Sequence, residues 1–199
     1  MTSLIKDKIM RYKPTFADKF WKIASAPFKE MKDLEADFHY AATTNMLWRA
    51  EYLLTEKGVN IASGNNFALR WAANGGHDEM LRLLFRHGGV DVNAKEGEAL
   101  IRAVTRGHAG AVALLLEHGA DVSAQDHKAL HLAHDKNNIG LLAQLVTGGQ
   151  DLRQAITALH ADAVEKDDGS PAHEARLKLY GDYLARQTPP RQPPAPPKP

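Results

Sequence analysis

Two runs decide how this chain folds: Ala99-Leu100-Ile101-Arg102-Ala103-Val104-Thr105-Arg106-Gly107-His108, and then Leu114-Leu115-Leu116-Glu117-His118-Gly119-Ala120-Asp121-Val122. Both recur. The first returns upstream as Ala68-Leu69-Arg70-Trp71-Ala72-Ala73-Asn74-Gly75-Gly76-His77. It returns again downstream, starting Ala129-Leu130-His131-Leu132-Ala133. The second aligns with Leu83-Leu84-Phe85-Arg86-His87-Gly88, and Val90-Asp91-Val92-Asn93-Ala94 aligns with Ala120-Asp121-Val122-Ser123-Ala124. A fainter copy, in the same register, holds Phe38-His39-Tyr40-Ala41-Ala42, Tyr52-Leu53-Leu54 and Val59-Asn60-Ile61. Four units follow: 36–66, 67–97, 98–127 and 128–152.

Each unit has one physical grammar. A short helix rich in alanine comes first, and Ala72, Ala73 and Ala103 allow a neighbouring helix to come close. Gly75-Gly76 or Gly107 breaks it, since glycine tolerates a left-handed backbone. A second helix carries an apolar stripe, Met80, Leu81, Leu83, Leu84 and Phe85 in one unit and Val112, Leu114, Leu115 and Leu116 in the next. Gly88-Gly89 or Gly119 ends it, and a turn containing Asp91 or Asp121 leads on. One such pair cannot bury its own apolar face, whereas stacked copies can.

The Gly-His pairs Gly76-His77 and Gly107-His108, the run 114–122 and Ala129-Leu130-His131-Leu132-Ala133 resemble the ankyrin repeat. The resemblance covers residues 36–152 and is most specific in the second and third units. It implies an all-α, ankyrin-like helical solenoid of about four repeats with helical caps. Two features depart from the family pattern. Phe67-Ala68, Glu98-Ala99 and Lys128-Ala129 stand where Thr-Pro is usual. The period is also about three residues short of the usual repeat, so the β-hairpin fingers are expected to shrink to plain turns.

Composition narrows the function. The chain has 199 residues, 44% apolar and 25% charged, a globular balance. Cysteine is absent, which excludes disulfide scaffolds, thiolate metal sites and cysteine nucleophiles. No apolar run approaches the roughly 18 residues of a membrane span, and no secretory signal is expected. The net charge of +1 conceals a split. Residues 1–32 hold eight basic and three acidic side chains, the segment from Thr188 adds +2, and 33–187 sums to −6. The basic ends are too mixed in charge for a nucleic-acid binder.

The flanks differ from the repeats. Residues 1–35 form a basic helical arm or cap, with Phe16, Phe20 and Ile23 on one helix face, Thr15 as its cap, and a second helix opened by Phe28, Met31 and Leu34. Residues 153–187 are expected to form a C-terminal helical cap. It comprises an amphipathic helix carrying Ala155, Ile156, Leu159 and Val164, then a second one begun by Ser170-Pro171. Residues 188–199 contain seven prolines and read as a disordered Pro-rich tail.

Ten histidines invite a metal or acid–base hypothesis. His77, His108, His87, His118, His39 and His131 belong to recurring slots of the repeat. A metal-dependent hydrolase around His127, His131 and His134 is one alternative, but Asp126 is expected to cap a helix there and leave His127 badly placed. No nucleophile elbow, phosphate loop or dinucleotide motif occurs, so the expectation is no enzyme, no metal and no cofactor.

The remaining reading is a non-catalytic protein–protein interaction module, an adaptor or inhibitor. It would bind a protein partner through the concave face of first helices and turns. The candidate partner-binding residues are Tyr40, Thr44, Trp71, Asn74, Lys95, Glu96, Arg102, Thr105, Arg106 and Asp135. Trp71 and Arg102 are of the types that dominate binding hot spots. A monomer in the cytoplasm, or one delivered to another cell as an effector, goes with this reading. A second alternative is a membrane-surface regulator using the basic arm.

Overall fold

The computed structural model describes residues 33–149, 152–166 and 169–186. The helices expected at Phe16–Ile23 and from Phe28, and the tail 188–199, lie outside the described residues. Among the described residues the chain is all-helical, with ten helices and no strand. None of these helices is long and apolar enough to cross a membrane. The chain divides into two compact units, one ending at Ala120 and the other starting at Asp121.

The first unit contains α1 (Leu34–Thr43), α2 (Leu47–Thr55), α3 (Ser63–Gly75), α4 (Asp78–His87), α5 (Ala94–Arg106) and α6 (Ala109–Glu117). Consecutive helices pair as α1–α2, α3–α4 and α5–α6. The first helices pack side by side as α1–α3–α5, and the second helices as α2–α4–α6. Small residues make the close first-helix packing possible: Ala41, Ala42, Ala72, Ala73 and Ala103 are fully buried. Leu53, Leu81, Leu84 and Leu115 fill the interior from the second helices. Phe85 and Leu116 lie at the margin of the predicted stripe and stay half-buried; the Phe85 ring instead stacks on His118, centroids 3.7 Å apart.

Asp33 caps α1 by accepting from the Glu35 and Ala36 amides. Gly76 and Gly107 close α3 and α5 in the left-handed region, φ 65° and 80°. At Gly76 the requirement is double, because a Cβ there would lie 2.6 Å from Nδ1 of His108.

The joints between repeats are more specific than plain turns. Three successive left-handed residues open α3, α5 and, in the second unit, α7. They are Gly64-Asn65-Asn66 (φ 60°, 55°, 56°), Lys95-Glu96-Gly97 (52°, 56°, 72°) and Gln125-Asp126-His127 (51°, 55°, 58°). Each non-glycine residue there costs about 1–2 kcal/mol. Recurring hydrogen bonds offset this. The side chains of Asn60, Asp91 and Asp121 accept from the amide two residues on, at 3.0, 2.9 and 2.8 Å. The backbone then closes each turn through Asn66 N to Ala62 O, Gly97 N to Asn93 O and His127 N to Ser123 O. Asp126 therefore sits inside the turn and is not a helix cap, because the chain at that point is still left-handed.

The second unit holds α7 (Ala124–Asp135), α8 (Ile139–Gly148), α9 (Arg153–Glu165) and α10 (Pro171–Arg186). α7 packs on α8 and α9, and α10 packs on α8 and α9. Asn138 caps α8 by accepting from the Leu141 amide. The buried stripe of α9 is Ile156, Leu159 and Ala163, with Leu152 just ahead of it. Val164, expected on that stripe, is 55% exposed, because the helix turns it one position past Ala163. Ser170 accepts from the His173 amide, so α10 starts on Pro171 with its first turn satisfied.

Candidate functional site

Packing α1, α3 and α5 side by side aligns equivalent positions into rows. Tyr40, Trp71 and Arg102 form one row, Thr43, Asn74 and Thr105 the next, and Thr44, Gly75 and Arg106 a third. Tyr40 is 49% exposed. Trp71 is half-buried, its ring 5.6 Å from that of Phe67. The Arg102 guanidinium lies over the Trp71 ring, 4.9 Å from its centroid. Trp71 thus has two partners, one from its own helix and one from the next.

The same joint is built twice with different chemistry. A residue of one first helix meets a residue of the next, which in turn meets the one a helical turn further on. Between α1 and α3 the set is aromatic: His39 stacks on Phe67 at 4.3 Å, and Phe67 touches Trp71. His39 also bonds the Ser63 hydroxyl, 2.9 Å away. Between α3 and α5 the set is ionic: Arg70 donates to Glu98 at 2.6 Å, and Glu98 also accepts from Arg102 at 2.8 and 2.5 Å. Burial raises the Glu98 carboxyl, but hydrogen bonds and charge from Arg102 and Arg70 outweigh it, leaving it below its ordinary value. Arg70 further donates to the carbonyls of Gly64 and Asn65, tying the left-handed turn to its own helix. Nothing local in the sequence marks Arg70, Glu98, Phe67 or His39 as a group, because each contact joins one repeat to the next.

The Gly-His slots have a shared role. His77 bonds the Thr43 carbonyl at 3.0 Å, and His108 bonds the Asn74 carbonyl at 3.1 Å, each bridging to the repeat before it. These bonds satisfy carbonyls at the end of a first helix that has no further turn. They also tie down the backbone beside the rows named above.

Of the sequence candidates, Tyr40, Thr44, Trp71, Asn74, Arg102, Thr105 and Arg106 share the first-helix layer of the first unit. The Thr44 and Thr105 hydroxyls donate back to their own helices, to Tyr40 O and Ile101 O at 2.7 Å. Lys95 and Glu96 occupy the tip of a left-handed turn and are exposed. Asp135 is exposed at the end of α7, in the second unit.

Of the three histidines singled out in the second unit, only His134 is buried. His134 bonds Tyr180 through Nδ1 at 2.9 Å and faces Asp162 through Nε2 at 3.4 Å. Burial, with the charge of Arg176, lowers the His134 imidazole, and burial pushes the Tyr180 hydroxyl up to about 12. His127 lies in the left-handed turn and His131 is exposed. Among the described residues no group of three His, Cys, Asp or Glu could hold a metal ion.

Residues 38–126 match a family model described as ankyrin repeats, in three copies.

Proposed function

We propose, from the premise that residues 38–126 of this chain belong to the ankyrin-repeat family, that the protein is an adaptor or inhibitor. It would seat a protein partner on the first-helix layer of its first unit. Ankyrin repeats are generally protein–protein interaction modules and are typically non-catalytic. The observation that carries the finer reading is the row Tyr40–Trp71–Arg102. Three large side chains stand on three adjacent helices, and contacts with Phe67 and Glu98 already hold two of them in place. A surface ordered before binding loses little side-chain entropy on association. Tyrosine, tryptophan and arginine are also the side chains that yield most per contact.

The test uses Tyr40→Ala combined with Arg106→Glu. Both side chains are exposed and neither is part of the buried core, so the double variant should melt like the wild type. Affinity purification with mass spectrometry on both forms should return a protein captured by the wild type and lost from the variant. Equal capture by both forms would place the interface elsewhere.

A further inference from the structure

We infer that the partner presents a carboxylate beside an aliphatic or aromatic side chain, the carboxylate seated between Arg102 and Arg106 and the apolar group against Tyr40 and Trp71. The inference rests on the reading of this face as a protein-docking surface. The argument is charge complementarity within the three rows. Nine positions make up those rows; two are arginine and none is acidic. The neighbouring carboxylate, Glu98, is already shared between two guanidinium groups, Arg70 and Arg102, so this cluster keeps a net positive charge.

The two arginines of the rows retain unused donors. Arg102 contacts Glu98 through Nε and Nη2, and its Nη1 has no hydrogen-bond partner among the described residues. Its side chain is 30% exposed. Arg106 is exposed and pairs with no carboxylate among the described residues. The two lie four residues apart on one helix, so their side chains share a face about 6 Å apart at Cβ. That spacing suits two donors converging on one carboxylate. Along the row from Arg102, Trp71 is half-buried with the Arg102 guanidinium over its ring, and Tyr40 is exposed. A polyphosphate fits less well. Phosphate backbones are held by many cations, whereas residues 33–187 sum to −6 and only two arginines stand in the rows.

The experiment probes an array of short, terminally blocked random peptides with the full chain, then titrates the best sequences by fluorescence anisotropy. Asp or Glu should be enriched next to Leu, Ile, Phe or Pro. Replacing that acid by its amide should weaken binding about tenfold or more, the range of a charge-assisted hydrogen bond. Arg106→Gln should give a similar loss, and Tyr40→Ala a loss that does not depend on the acid. Enrichment without acid, yet lost on Tyr40→Ala, overturns the carboxylate and leaves the docking face standing. Acid-bearing peptides that bind both variants as well as the wild type overturn the inference and the face together. An array that retains the chain nowhere, or a single-stranded oligonucleotide that out-competes the best peptide, also overturns the inference. The protein-capture test of the face is independent of either result.

Discussion

Asp37 offers the sharpest test of the energetics. Its side chain is 1% exposed and pairs with Arg49, 14% exposed, through Nε at 3.1–3.2 Å and through Nη2. One repeat on, the same two slots hold Ala68 and Met80, both fully buried. In the repeat after that they hold Ala99 and Ala111, also fully buried. The repeat therefore contains its own apolar alternative to the ion pair. Asp37→Ala alone takes the carboxylate away from a guanidinium that is 14% exposed and should cost about 3 kcal/mol. For a unit of this size that is roughly a 12–24 °C drop in Tm. Asp37→Ala with Arg49→Met restores the solution of the next repeat, and its stability should return to within about 1 kcal/mol of wild type, or exceed it. Thermal and urea unfolding of the full chain, followed by far-UV circular dichroism, complete the double-mutant cycle. A single variant that costs under about 1 kcal/mol, or a double variant that loses the sum of both singles, would refute the reasoning.

Gly76→Ala should destabilise by about 1–2 kcal/mol, more if the His108 ring cannot yield, because φ is 65° and the new methyl would meet that ring; an unchanged Tm would contradict this. His127→Gly should stabilise by about 1 kcal/mol, since it relieves a left-handed residue and removes a buried Nε2 with no partner; urea denaturation reads it. The lowered His134 imidazole means the unfolded chain binds the extra proton first, so stability contributed there is present above the ordinary value of 6.5 and is lost as pH falls below it. His134→Gln should flatten the slope of Tm against pH between neutral and mildly acid conditions; an unaltered slope would assign it to another group. Tyr180→Phe should cost about 1–2 kcal/mol by thermal unfolding, because His134 Nδ1 loses its hydrogen-bond partner in the buried α7–α10 contact.

Much of the fold was legible. The recurrence of near-equal units, the alanine-rich first helices, the leucine stripes and the glycine breaks each reflect a local rule with its own period. Ser170-Pro171 likewise marked the start of α10 correctly. The left-handed turns were legible only in part: Gly64-Asn65-Asn66 is built from residues that tolerate positive φ, whereas Lys95, Glu96 and Gln125 have little propensity for it. Val164, 55% exposed, shows a related limit. A helix period alone leaves the burial boundary free by one position, and packing sets it at Ala163.

By itself the sequence determined that helices alternate between short alanine-rich and leucine-striped ones, and which residue types could stand on the first-helix face, since both follow from contacts within one unit's length. Only the tertiary structure decided that Glu98 is shared by Arg70 and Arg102, that His39 stacks on Phe67, that His77 and His108 bond carbonyls of the preceding repeat, and that Asp37 is buried against Arg49. The reason is physical. A side chain's energy in these positions is fixed by the neighbour that stacking brings beside it, and the same slot holds an aromatic pair at one joint and an ion pair at the next.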